Sequence, residues 1–299
     1  MPRRAPARRS GPRPGALALL ALAVFAVGLA VGVGVPRAPA PSPLPPRVER
    51  PRPTPPPPAQ PRPPRPRAEQ PRAPAAPAAG AARAAIIFDD AGGSLADVEG
   101  IIAIGRPVTM AVLPGLAFSS EVARRARAAG LEVLLHLPIE AIADNEKLGP
   151  GAVRVAMSDD EIREVVQSGL ASVPGAIGVN NHMGSRGTAD ARVMRAVLEV
   201  VRERGLIFVD SRTTKDTVAE ALAAAMGVRT ARRHVFLDND PDEAAIRSEV
   251  RRLIAVARER GEAVAIGHVQ RRTPRIIAGM LEEFDRQGVQ LVPLSALAR

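Results

Sequence analysis

Residues Ala84–Gly93 read AAIIFDDAGG: five apolar residues, two adjacent carboxylates, then a small-residue turn. The run Ala84–Phe88 has the length and composition of a buried strand, and the drop in hydropathy at Asp89 marks its carboxyl end. Similar short runs recur at 108–113, 133–135, 177–179, 206–209, 228–231, 263–266 and 289–292. Helix-like segments lie between them at 158–173, 189–204, 214–226, 241–260 and 273–287, several closed by a glycine such as Gly205, Gly227, Gly261 or Gly288. The first of these opens Ser158-Asp159-Asp160-Glu161, a capping-box pattern. Strand and helix alternating in this way predict parallel strands joined by crossovers. Seven or eight such units favour an α/β barrel related to the (β/α) barrel over an open sheet.

Charge divides the 299-residue chain unevenly. Residues 1–83 carry 14 arginines against two glutamates, and 23 of the 31 prolines. That is a charge of +12, so a whole-chain charge of +10 leaves about −2 for residues 84–299. The folded part is therefore not basic and offers no aromatic platform for bases, which excludes nucleic acid as a partner. The tail divides into a basic start at 1–15, an uncharged apolar run at 16–35 and a Pro-rich stretch at 36–80. The apolar run is long enough to cross a bilayer as a signal anchor, with a cleaved signal peptide as the other reading. The arginines before it predict a cytoplasmic N-terminus, which places residues 81–299 in the periplasm or otherwise outside the cytoplasmic membrane. The Pro-rich stretch reads as a disordered, extended spacer. The chain has no cysteine, so any metal has to be held by His, Asp or Glu.

Alpha/beta folds assemble sites at the carboxyl ends of their strands. Five predicted strand ends here carry reactive side chains: Asp89-Asp90, His136 with Glu140, Asn180-Asn181-His182, Asp210 with Arg212, and His268. Three of the four histidines fall at such ends, and His234, which precedes a strand-like run, reads as a surface residue. A single Asp near Ser94 could simply cap a helix. Two adjacent carboxylates call for more, because they repel unless a cation or hydrogen bonds compensate, and a divalent metal supplies that compensation. His136 and Glu140 could share one ion across a proline, or Glu140 could orient a ligand. His182, beside Gly184, is a candidate ligand as well.

The ordered stretches IIFDDAG, HLPIE, LGPGAV, NNHMGSR, FVDSRTT, VFLDN and AIGH resemble the divergent polysaccharide deacetylase family, a branch of the NodB-like carbohydrate esterases. The resemblance covers about Ala84 to Leu297. It implies a distorted (β/α) barrel of seven or eight parallel strands, a divalent metal, usually zinc, and removal of acetyl groups from a polysaccharide. By position, Asp89 resembles the general base, Asp90 and His136 metal ligands, Asp210 and Arg212 the residues that orient base and acid, and His268 the catalytic acid. The better-characterised NodB-like enzymes have a second histidine where this chain has Glu140. His182 is expected to replace it as third ligand, with Glu140 as the competing candidate.

On this reading, Asp210 keeps His268 protonated for its task. Arg186, Arg212, Arg271 and Arg272 are candidates for recognising an acidic polymer such as peptidoglycan or an exopolysaccharide. The chain lacks Trp and Tyr, leaving Phe118 as the ring available to a sugar. The competing reading is a catalytically inactive, membrane-anchored module that binds a glycan or a protein. A metal phosphoesterase is weaker, since no phosphate-cradling Gly loop or two-metal ligand set is present.

Overall fold

Period-two alternation along the first strand sorts its side chains into two cores. The computed structural model describes residues 80–299 except Arg271; the segments at 1–15, 16–35 and, apart from Gly80, 36–80 lie outside it. In β1 (Ala82–Ala91), Ala84, Ile86 and Phe88 join an outer core shared with the helices, while Ala85 and Ile87 face an inner core. The inner core gathers strand residues such as Ala111, Leu134, Val209 and Ile266, and is plugged by Leu294, Leu297 and Ala298 near the C-terminus.

The elements follow in alternation. After β1 come α1 (Ala96–Ile102), β2 (Thr109–Val112), α2 (Ser119–Ala128), β3 (Glu132–Ile139) and α3 (Asp159–Ser172). Next are β4 (Gly178–Met183), α4 (Ala191–Glu203), β5 (Ile207–Asp210), α5 (Ala219–Ala225), β6 (Thr230–Arg232) and β7 (Val235–Phe236). The chain ends with α6 (Glu243–Arg260), β8 (Glu262–His268), α7 (Arg272–Ala278), α8 (Leu281–Arg286) and β9 (Val289–Leu291).

Every strand pairing is parallel, in the order β6-β5-β4-β3-β2-β1-β8-β7, with β9 added to β1. The two ends of this path, β6 and β7, are consecutive in the chain. Between them Arg233 N–H donates to Asp210 O and His234 N–H to Val264 O, so one extended stretch passes from β5 to β8. The predicted α/β architecture of parallel strands is present as a curled half-barrel, with nine strands among the described residues where seven or eight were expected. Among the described residues no helix is long and apolar enough to cross a membrane.

Helix termini follow local chemistry. Ser158 accepts from Glu161 N–H while Glu161 accepts from Ser158 N–H, the reciprocal cap expected from the sequence. The helix expected over 273–287 is instead two, α7 and α8, interrupted at Gly279-Met280. The helix expected from Thr214 begins only at Ala219, because Thr217 turns back to hydrogen-bond Asp210.

Close packing between β4 and β5 has a specific requirement at Gly178, where a Cβ would lie 2.6 Å from Ile207 O and 3.0 Å from Leu134 Cδ2. Gly178→Ala is expected to destabilise the protein by about 1–3 kcal/mol. Gly100→Ala, in open space within α1, should stabilise it by about 0.5–1 kcal/mol. Thermal unfolding of both variants checks this; equal midpoints would contradict the packing described.

Candidate metal centre and active site

Strand parity decides which side chains enter the barrel mouth. With Ala85 and Ile87 in the inner core, Asp89 faces inward, and its successor ought to face the helices. Asp90 instead takes φ 67°, and the β1–β2 register shifts between Phe88 and Ala91. This bulge re-aims Asp90 into the same mouth at a cost of roughly 1–2 kcal/mol for a left-handed residue. Of the other described non-glycine residues with positive φ, Met183 ends β4, Arg212 lies two residues past β5 and Asp144 lies in the loop after β3. Backbone strain thus concentrates where the chemistry is. Neither aspartate caps α1, whose N-cap is Leu95 with no side-chain hydrogen bond.

Asp90 Oδ1, His136 Nε2 and His182 Nδ1 form a triangle with edges of 3.2, 3.0 and 3.1 Å. They are the described residues grouped closely enough to hold a metal ion. Asp90 Oδ1 is buried and has no hydrogen-bond donor, although both imidazole nitrogens are near: the distances are short but the alignment is not that of hydrogen bonds. Donors bound tetrahedrally at ~2.0–2.1 Å stand roughly 3.3 Å apart, so this triangle accommodates a cation with slight expansion. A cation would also give the orphaned oxygen its partner.

The protonation states respond to the same crowding. Burial works against ionised Asp90, yet the adjacent His136 and His182 hold its carboxyl well below the ordinary range. For His136 burial disfavours the cation, but Asp89 and Asp90 outweigh it and raise the pKa. Asp89 is 4% exposed, and burial raises its pKa against the opposing effects of His136 and Asn180.

Asp89 Oδ1 accepts from Asn180 Nδ2–H at 2.9 Å, and Asn180 Oδ1 lies 3.0 Å from His136 Nδ1. Its second oxygen, Oδ2, is 3.6 Å from His136 Nε2. Across the mouth, His268 Nε2 lies 3.8 Å from Asp90 Oδ2, while its Nδ1 is 3.0 Å from Asp238 Oδ1. Asp238 Oδ2 also accepts from His268 N–H and from Thr273 Oγ1–H. Burial lowers the His268 pKa, but Asp238, followed by Asp90 and Asp89, overcomes this and pushes it up to about 9.

Several predicted roles are corrected. Asp210 does not meet His268: it shares the outward parity of Phe208 and accepts from Arg212 N–H and Thr217 Oγ1–H. Asp238 takes its place. Arg212 does not reach the base either, and its guanidinium is 4.0 Å from Glu220. Glu140 lies outside the group of Asp90, His136 and His182: its carboxylate accepts from Val155 N–H at 2.7 Å and pairs with Arg186 at 3.0 Å. That pairing also occupies Arg186, and Arg272 donates to Pro241 O. Arg271 lies outside the described residues. His234 is half-buried, with Nδ1 accepting from Val264 N–H.

The sequence placed Asn180 among the strand-end residues without giving it a role, and gave none to Asp238 or Arg233. Arg233 donates to Ser211 O and Arg212 O and lies over the Phe236 ring, which packs edge-on against His268. Side-chain exposures of 36% for Asp90, 26% for His268 and 16% for His182 leave the site open to solvent. Cavities of about 570 and 1000 Å³ lie elsewhere, beside Thr230 and Glu262 and beside Ala81 and Val289.

In metal-free protein, His268 is expected to titrate near 9 by NMR, and Asp238→Asn to move it down toward the ordinary 6.5. Because the folded-state pKa is raised, the stability this pair contributes is complete below about pH 6.5 and lost as pH rises through about 9. An unmoved titration in the variant would contradict the pairing.

Comparison with known proteins identifies the family. An uncharacterised Escherichia coli K12 protein, YibQ, is 36% identical over 217 residues, which is 73% of this chain and 67% of that one. An uncharacterised protein of Haemophilus influenzae is 32% identical over 218 residues, 73% of this chain and 77% of that one. The crystal structure of the uncharacterised protein ATU2773 from Agrobacterium tumefaciens C58 has the same fold, with TM-score 0.69 and 24% identity over 73% of this chain and 89% of that one. Residues 86–298 match the profile described as divergent polysaccharide deacetylase, and the chain belongs to that family.

Proposed function

We propose that this chain is a metal-dependent hydrolase that removes acetyl groups from an envelope or extracellular polysaccharide. The observation that carries this reading is the orphaned Asp90 Oδ1, enclosed with His136 Nε2 and His182 Nδ1 beside a second, differently held carboxylate. Two nitrogens and one carboxylate oxygen suit zinc, although such a set accepts other first-row ions. Bound there, the cation would supply Lewis-acid polarisation of the acetyl carbonyl and of the attacking water.

The protein's own groups perform the proton transfers. Asp89 Oδ2, free of the hydrogen bond that holds Oδ1, takes the proton from water as it attacks the carbonyl carbon. Its burial-raised pKa favours accepting that proton. His268, kept protonated by Asp238, delivers a proton to the leaving nitrogen or oxygen as the acyl bond breaks. The products are acetate and the free amine or hydroxyl of the sugar. Asp89 then returns its proton to solvent and His268 takes one up.

A site whose Asp90, His182 and His268 side chains reach solvent suits the side of a polymer better than a small molecule. Phe118, 40% exposed, is tied to the strand bearing the aspartates by its N–H to Gly92 O, and offers an apolar ring to a sugar. The apolar run at 16–35 and the Pro-rich stretch at 36–80 support a domain tethered outside the cytoplasmic membrane, within reach of such a polymer. The inactive binding module retains one observation in its favour, the scarcity of exposed aromatic rings.

Acetate release from N- and O-acetylated glycans by the zinc-loaded protein tests the proposal. Release abolished by a chelator is expected, and Asp89→Asn should keep the metal while turnover falls about 10²–10⁴-fold. Bound metal without release on any glycan would favour the binding module, and a variant hydrolysing at the parent rate would remove Asp89 as the base.

A further inference from the structure

We propose that Asn180 is a positioning residue that couples the base to the metal site, selecting both the ligating nitrogen of His136 and the working oxygen of Asp89. The inference rests on the function proposed above. Asn180 is fully buried on the inner face of β4, two residues before His182 and paired with His136 in the β3–β4 register. Among the described residues its carboxamide is the group that hydrogen-bonds both Asp89 and His136, at 2.9 and 3.0 Å.

A carboxamide has fixed polarity: its nitrogen only donates and its oxygen only accepts. Turning the amide over would press its oxygen against the Asp89 carboxylate, so Nδ2 faces Asp89 and Oδ1 faces His136. In the neutral ring that binds a metal, His136 Nδ1 therefore carries the hydrogen, and the lone pair on Nε2 points into the triangle with Asp90 and His182. The ligand is set before any metal arrives. The second Nδ2 hydrogen reaches toward Ser211 Oγ at 3.4 Å, which leaves no other orientation equally satisfied.

The same contact distinguishes the oxygens of Asp89. Oδ1 is committed to Asn180, whereas Oδ2 faces the His136 Nε2 side of the mouth, 3.6 Å from that nitrogen. A proton arriving at Asp89 goes to Oδ2, since placing it on Oδ1 would set two donors against each other. Ser211 N–H donates to Asn181 Oδ1 and Asn181 Nδ2–H to Met183 O, so the neighbouring residue on the opposite face fixes the strand that presents Asn180.

Two substitutions separate the roles. In Asn180→Asp the new carboxylate still accepts from His136 Nδ1–H but opposes Asp89, so zinc affinity should stay within about threefold of the parent while turnover at pH 8 falls by ~10²-fold or more. Asn180→Leu, similar in volume, loses both contacts, and zinc affinity should fall by about 10–100-fold. Zinc affinity is read by competition with a chromogenic chelator, and the His136 tautomer by ¹⁵N NMR of the metal-free full chain. Unfolding midpoints report whether each variant folds; a purely structural defect would lower the midpoint, affinity and turnover together. Parental turnover in Asn180→Asp, or parental zinc affinity with an unchanged tautomer in Asn180→Leu, would overturn the proposal. If the parent releases no acetate, the functional reading fails, while the zinc and NMR measurements still decide the role of Asn180.

Discussion

The site depends on a local reversal of strand parity at Asp90. A regular strand sends consecutive side chains to opposite faces, and Ile86, Ile87 and Phe88, all fully buried, lock β1 in register on both faces. Asp89 could reach the barrel mouth without distortion, but Asp90 could not. The left-handed backbone at Asp90 and the register shift beside it bring the second carboxylate round to the first. His136, Asn180, His182 and His268 need no such device, because each lies on the inward parity of its own strand.

Bringing these groups together concentrates charge, and the surrounding hydrogen bonds divide it into two units. On one side Asp89, Asn180 and His136 form a chain whose ends, Asp89 Oδ2 and His136 Nε2, face the mouth, the latter 3.1 Å from His182 Nδ1. On the other, Asp238 holds His268 through both its side chain and its backbone amide. Asp90 stands between them, 3.0 Å from His182 and 3.8 Å from His268. Each unit holds one of the two groups proposed as base and acid: Asp89, whose pKa burial raises, and His268, whose pKa Asp238 raises against burial. The three residues that could hold a cation meet at the junction, where the buried Asp90 Oδ1 has no donor.

Much of this was legible in the sequence because chemistry at strand ends interrupts apolar runs. AAIIFDD, the histidine after Leu135 and the histidine after Gly267 each break such a run, and the parallel barrel follows from their alternation with helices. The misplaced residues have physical reasons. Asp210 ends an apolar run in the same way, but in Ile207-Phe208-Val209-Asp210 it shares the face of Phe208, and counting parity from that residue would have turned it outward. Asp238 and Arg233 were hidden because the chain crosses from β5 to β8 between β6 and β7, a change of partner that no local pattern records. Glu140 has the spacing of a ligand, yet Val155 N–H and Arg186, from distant segments, claim its carboxylate.

A crystal structure of the zinc-loaded protein is the most direct measurement of the three-residue centre. Anomalous density is expected roughly 2.0–2.2 Å from Asp90 Oδ1, His136 Nε2 and His182 Nδ1, with Glu140 still bound to Val155 N–H and Arg186. Density elsewhere in the barrel, or a Glu140 carboxylate in the coordination sphere in place of His182, would contradict it.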